Sequence, residues 1–271
     1  MKKDYIPISS DVAGQDEIQF VNNFWSARWE GRCLGKELVD SIARREEYRI
    51  MSPYLHELGG GAKILDGGCG LGEWTVFLSL QKFDVYGLDI SSSIIARLKE
   101  HFPNGKFMVE DIRKTSFPDG YFDAYFSWGA FEHFEDGLSQ CVEEAHRIIR
   151  SGGYMFVTVP FHNTRHWYAD KLAYRRSTSK SNDNSWTLKT PMRFYQWRLT
   201  RLELKQELEI HGFKTLSIIP IHKGEGLSRF AHHTFGTEPG TRIHFMLQTL
   251  LGFFVTRNYV AHMLMAVGQR L

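Results

Sequence analysis

Read for the spacing of its apolar positions, the chain alternates between two periods. Short apolar runs that suit buried strands lie at Lys63–Asp66, Asp84–Asp89, Lys106–Val109, Phe122–Ser127 and Tyr154–Val159. Between them, apolar residues return at helical spacing. Trp74, Val76, Phe77, Leu78 and Leu80 follow the first run, and Ile94, Ile95, Leu98 and Phe102 the second. Leu138, Cys141, Val142, Ala145, Ile148 and Ile149 follow the fourth. Strands that alternate with helices are joined by crossovers and line up in parallel, so the pattern predicts an α/β fold with a Rossmann-like, doubly wound sheet. Ser91 and Asp136 stand where helix caps belong. Phe213–Ile221 and Ala261–Gly268 read as a sixth and a seventh strand. Thr200 with Glu203 predicts a capping box on a helix through Leu204 and Leu208.

The flanks depart from this rhythm and set the expected domain limits. Residues 1–58 read as an N-terminal helical lid or cap, and 59–160 as the ligand-binding core. Residues 161–200 form a substrate-side insertion, and 201–271 return to the core with an apolar insertion at about 224–259. In the first segment Phe20, Phe24, Trp25 and Arg28 share one side of a helix, and Trp29 follows them. Such a stripe either docks on the domain or covers a ligand pocket. A clearer helix runs from Gly35 to Leu58 and stops at Gly59, Gly60 and Gly61. The run S-T-S-K-S-N-D-N-S in the first insertion reads as an exposed loop.

Composition narrows the class without choosing a function. At 271 residues with 42% hydrophobic and 24% charged content, the chain is a soluble, globular one. A net charge of +2 gives no overall bias toward nucleic acid. Cys33, Cys69 and Cys141 have neither disulfide nor zinc spacing, which points to a reducing, cytoplasmic setting. The start M-K-K-D-Y-I-P lacks an apolar run, so no secretory signal is expected. Phe245 to Val255 is too short to span a bilayer.

The chemistry gathers around K-I-L-D-G-G-C-G-L-G-E-W-T, Lys63 to Thr75. A glycine turn between a strand and a helix lets backbone approach a ligand where a Cβ would clash. Three acids, Asp66, Asp89 and Asp111, fall at the carboxyl ends of the first three predicted strands. That is where open parallel sheets bind ligands. Asp89 is placed to accept both hydroxyls of a ribose, and Asp111 with Ile112 to read an adenine. Together they describe an adenosine site.

On the runs ILDGGCGLG, VYGLDIS, VEDI, FPDGYFDAYFSWGAFEHFED and EEAHRIIRSGGYMFVTVP, the chain resembles the class I S-adenosylmethionine-dependent methyltransferases. Within them it is similar to the ubiquinone, menaquinone and small-molecule tailoring branch. The resemblance covers about residues 60–160 and implies a seven-stranded sheet whose last strand is antiparallel, lying between the fifth and sixth. It implies S-adenosyl-L-methionine as cofactor. It places Gly67, Gly68, Gly70 and neighbouring backbone at the methionine and ribose, and Asp66 near the methionine amine. Asp89 would then hold the ribose, with Ile90 against adenine, and Asp111 and Ile112 would read the base. Ser127 and Trp128 would supply backbone to the methionine ammonium. A metal-binding acid found in some related quinone enzymes is replaced here by Gly129, so no metal is expected.

His133 is the candidate catalytic base, because an imidazole can take a phenol or hydroxyl proton. The competing reading makes Glu132 and His133 a structural turn. From Phe161 to Lys205 there are ten Lys or Arg against three acids, interleaved with Trp167, Tyr168, Tyr174, Trp186, Phe194, Tyr195 and Trp197. That mixture suits an anionic small-molecule acceptor, phosphorylated or linked to a sugar, lipid or carrier. Nucleic acid ranks lower, because no recognised nucleic-acid module accompanies the core. The apolar stretch Glu238 to Tyr259 is a pocket wall, a homodimer contact or a lipid contact. The expected function is O-methylation of a small molecule. The alternatives are a non-catalytic cofactor-binding or partner-binding protein on the same fold, and an NAD-dependent oxidoreductase.

Overall fold

A computed structural model describes residues 1–9, 12, 14–32, 36–179 and 191–271, without the side chains of 36–38 and 173–179. The expectations for Cys33, Gly35, Trp186 and the loop residues 180–185, and for the side chain of Tyr174, lie outside the described residues. In chain order, β1 (Lys2–Pro7) and α1 (Glu17–Trp29) precede α2 (Lys36–Ser41) and α3 (Glu46–Leu58). The central block is β2 (Lys63–Gly67), α4 (Glu73–Leu80), β3 (Asp84–Asp89), α5 (Ser92–His101), β4 (Lys106–Val109), β5 (Phe122–Trp128), α6 (Ser139–Ile148) and β6 (Ile149–Pro160). Then come α7 (Thr164–Ser179), β7 (Met192–Arg198), α8 (Arg201–Ile210), β8 (Phe213–Ile221), α9 (Lys223–Phe235), α10 (Arg242–Phe254), α11 (Arg257–Val260) and β9 (Met263–Arg270).

Seven of these strands form one sheet in the order β4-β3-β2-β5-β6-β9-β8. The pairs from β4 to β6 are parallel, and β9 runs antiparallel to both β6 and β8. Strand order reverses between β2 and β5, which puts a crevice beyond their carboxyl ends. The inner runs are mostly apolar because both faces of the sheet's centre are covered. Successive residues go to opposite sides: Leu65, Tyr125, Met155, Val157, Leu264 and Ala266 join a core with α6 and α8. Ile64, Phe126, Phe156, Met265 and Val267 join another with α3 and α4. This period of two is what a pleated strand imposes.

Local chemistry sets the helix starts. Ser91 accepts from Ile94 N at 3.3 Å, and Thr200 and Glu203 make the reciprocal capping box of α8. Asp136 does not cap α6. Gly137 intervenes at φ 104°, and the helix starts at Ser139 with no side-chain cap. The predicted Gly35–Leu58 helix is broken, because Arg45 is extended (ψ 148°) between a 3-10 turn at Ile42–Arg44 and α3.

The flanks hold the larger differences. The N-terminal segment is helical over α1, but its first residues form a strand, β1, antiparallel to β7 from Lys2↔Arg198 to Pro7↔Met192. Ser177–Ser179, expected in a loop, close helix α7. The apolar insertion is the helix pair α9 and α10, and on α10 Ile243, Phe245, Met246, Phe253 and Phe254 are exposed. Among the described residues no helix is long and apolar enough to cross a membrane.

Candidate active site

The turn after β2 is pinned to the end of β3, where Gly68 N and Cys69 N both donate to Leu88 O, at 2.8 and 2.7 Å. Two of its glycines are required by their surroundings. A Cβ on Gly67 would lie 2.2 Å from Tyr125 Oη. Gly68 has φ +82°, and its Cβ would lie 2.8 Å from Ala130 Cβ. Gly68 therefore presents bare backbone to a cavity of about 150 Å³.

That cavity gathers most of the expected site. Gly68, Asp89, Ile90, Asp111, Ile112, Trp128 and His133 line it. Asp66, Gly67, Gly70 and Ser127 do not; they lie behind it and hold its wall. Asp66 is buried and accepts from Thr75 Oγ1 at 2.7 Å. Ser127 Oγ donates to Gly67 O at 2.7 Å. Gly70 N donates to Asp89 Oδ2 and Ser91 N to Asp89 Oδ1, each at 2.9 Å. One oxygen of Asp89 is thus spoken for by each backbone amide, which fixes the carboxylate plane and leaves a lone pair on each oxygen.

Helix α1 is the roof. Trp25 and Trp29 line the cavity, stacked on each other with centroids 5.6 Å apart. Fastenings of the roof include Ser26 Oγ to Ser91 Oγ at 2.7 Å, Arg97 Nη1 to Trp29 O at 2.9 Å, and Glu17, which accepts from Arg113 Nη1 at 2.8 Å and from Glu135 N at 2.7 Å. Arg113 also donates from Nη2 to Asp111 Oδ2 at 2.7 Å, so a single guanidinium ties the roof to an acid of the cavity. Arg113 was not readable as a site residue. Only its position two residues after Asp111 hints at it. The aromatic stripe on α1 was readable, as one of two alternatives.

Burial dominates the electrostatics. It pushes the Asp66 carboxyl up to about 8, with Glu73 and Asp89 adding repulsion and the Thr75 hydrogen bond opposing it. Burial also raises Asp89, against the hydrogen bonds from Ser91, Gly70 and Ile90. Glu132, with Oε2 buried and without a partner among the described residues, is pushed up to about 8 by burial. His133 goes the other way, down to about 4, because burial disfavours its charged form. Its Nδ1 lies 2.6 Å from Tyr195 O, so Nδ1 carries the proton and donates, and Nε2 keeps its lone pair. Trp25 and Tyr195 pack against the ring, with centroids 5.0 and 5.1 Å away.

With this geometry in place, the similarities are informative. A family model described as a methyltransferase domain matches residues 64–153. An uncharacterised methyltransferase of Synechocystis sp. is 31% identical over 146 residues, 53% of this chain and 68% of that protein. The 2-methyl-6-phytyl-1,4-hydroquinone methyltransferase of Synechocystis sp. is 36% identical over 107 residues, 38% of this chain and 33% of that enzyme. Magnesium protoporphyrin IX methyltransferase from Synechocystis, solved with S-adenosylhomocysteine, shares the fold. Its TM-score is 0.54 at 14% identity, over 94% of this chain and 100% of that one. The chain belongs to the class I S-adenosylmethionine-dependent methyltransferases. It spans 58% and 33% of the length of the first two curated relatives it matches.

The residues present fit the family's cofactor. Gly68 leaves room where a Cβ would intrude, Asp89 offers two oriented acceptors, and Ile90 and Ile112 supply apolar faces beside Asp111.

Proposed function

We propose that this chain O-methylates a hydroxylated small molecule. The observation that carries the reading is the cavity under α1, with nucleoside-type acids at one side and the Gly129–His133 turn at another. S-adenosylmethionine supplies, when bound, an electrophilic methyl group on a sulfonium. Asp89 would hold the ribose hydroxyls, Asp111 and Ile112 the adenine, and the backbone at Gly68 and Trp128 the methionine portion.

The rest of the task is positioning and exclusion of water. Trp25 and Trp29 close the cavity from above. His133 is neutral at physiological pH and presents Nε2 as a hydrogen-bond acceptor for the incoming hydroxyl. A hydroxyl proton becomes strongly acidic as its oxygen gains a methyl, so even a weakly basic imidazole can take it. The basic excess of the first insertion favours an anionic acceptor, sugar-, lipid- or carrier-linked. The exposed apolar face of α10 suits a lipid tail or a second copy of the chain.

Calorimetry with S-adenosylmethionine, S-adenosylhomocysteine and NADH tests the cofactor. Release of S-adenosylhomocysteine over a panel of quinols, phenols and hydroxylated sugars tests the acceptor. Tight NADH binding without binding of the sulfonium would overturn the reading.

A further inference from the structure

A second cavity, of about 330 Å³, opens on the same edge of the sheet. It lies between the end of β6, the first turn of α7, β7, α9 and the residues entering β9. Its lining includes three arginines, Arg165, Arg198 and Arg229. Two of them are matched: Arg198 pairs with Asp4 at 2.8 Å and Arg229 with Glu225 at 2.7 Å. The remaining lining acid, Asp170, is held by His162 Nε2 at 3.1 Å and by Lys2 at 3.9 Å.

Arg165 has no such counterpart. Among the described residues no carboxylate pairs with it, and its Nε is fully buried without a hydrogen-bond partner. Among those residues its polar neighbour is His166 Nε2 at 3.4 Å, and the Phe230 ring lies 5.9 Å from its Cζ. Burial and the charges of Arg229 and Arg198 weaken its hold on its proton, while Tyr259 opposes them. Burial also drives His166 and His262, at the same cavity, down to about 4, so the positive charge there comes from the arginines. An unpaired cation in a partly buried pocket is unfavourable for the protein alone, and becomes favourable once an anion enters. Asn163, also on the lining, accepts from His166 N at 3.0 Å and so fixes the first turn of α7, which carries Arg165.

Neighbouring residues of β7 and of the start of β9 serve both cavities. Tyr195, whose carbonyl holds His133 in the first, directly precedes Gln196 in the second. Met263, beside Gly129 of the first, directly follows His262 of the second.

We propose that this second cavity anchors a phosphate-type anionic group of the acceptor, with Arg165 as its principal contact and Arg198 and Arg229 alongside. The assignment rests on the methyl-transfer reading for what the anchored molecule is, but anion binding itself can be measured without turnover. The probe is inorganic phosphate, titrated into the full chain and followed by calorimetry, with acetate as the carboxylate comparison. Phosphate should bind saturably and more tightly than acetate. Arg165→Gln should weaken it about tenfold or more and Arg165→Lys less, because a lysine keeps charge but loses the planar fork. S-adenosylmethionine affinity should be unchanged in both variants. The melting temperature of Arg165→Gln should stay level or rise, because no ion pair is lost; a purely structural arginine would lower it. Equal phosphate affinity in wild type and Arg165→Gln, no saturable phosphate binding by wild type, or a lowered melting point would each overturn the proposal. Failure of S-adenosylmethionine to bind wild type would instead sink the methyltransferase reading, and leave the phosphate result standing.

Discussion

Replacing Asp66 by asparagine should flatten part of the pH dependence of stability. The native Asp66 carboxyl sits up at about 8, against an ordinary value of 3.8, because burial penalises its charge. Between those values the native state keeps a proton that the unfolded chain has released. The native state thus binds more protons, and stability falls as pH rises, by about 1.4 kcal/mol per pH unit until the native carboxyl ionises. His133, His166 and His262 work in the opposite sense. Their native values, near 4, lie below the ordinary 6.5, so they add stability as pH rises and are exhausted above about 6.5. His222 is raised by burial-opposed pairing with Glu47 and loses stability with rising pH, but it does so equally in both proteins. Across about pH 6.5 to 8 the difference between the two proteins therefore isolates Asp66, which should account for roughly 2 kcal/mol. The side-chain amide of the Asp66→Asn variant can still accept from Thr75 Oγ1, as Asp66 Oδ2 does at 2.7 Å, so the packing survives. Urea unfolding of both proteins at pH 6.5, 7.2 and 8 reads the difference directly. The wild-type and Asp66→Asn stabilities should diverge, with the variant the more stable at pH 8. Parallel curves would show that Asp66 is not held neutral, and would refute the burial argument.

Other consequences are equally open to measurement. Asp89→Asn keeps the shape but turns an amide N–H₂ toward either Gly70 N or Ser91 N. Calorimetry should find S-adenosylmethionine binding weakened by roughly 2–4 kcal/mol. Gly68→Ala combines φ +82° with a Cβ 2.8 Å from Ala130 Cβ. It should destabilise by about 1–3 kcal/mol, and the added substitution Ala130→Gly should recover the steric part of the melting shift. If His133 accepts the proton, His133→Gln should leave cofactor affinity intact and lower turnover on the order of a hundredfold. The wild-type rate should show no inflection near pH 6.5, since burial has already moved His133 to about 4.

How much of this was legible in the chain depended on the range of the interactions. β3 and β8 begin and end where their runs do, because each run is bounded at both ends: Phe83 and Ile90 flank β3, and Gly212 and the left-handed His222 flank β8. The α8 capping box was readable because both partners lie within one helical turn. Strand β1, KKDYIP, was not, since its partner stands about 190 residues away and its own pattern is charged and ends in proline. Helix α7 was hidden by its polar composition; it is seeded by the cap at Asn163. At the site, Asp89 and Asp111 were visible from spacing after the glycine turn. The neutral state of Glu132 was not, because it comes from burial by residues distant in the chain.

The pairing of β1 with β7 sets the order in which the molecule can assemble. The nucleoside crevice needs only elements from β2 to β6, close in sequence, and can form while the chain is still being made. The leading strand has to wait for Met192–Arg198 before it finds its place, whereas α1, fastened to Ser91, Arg97 and Arg113, can dock once α5 and the turn after β4 are made. A pause in synthesis between Pro160 and Met192 would thus leave a chain with its binding crevice built and roofed but its leading strand unpaired.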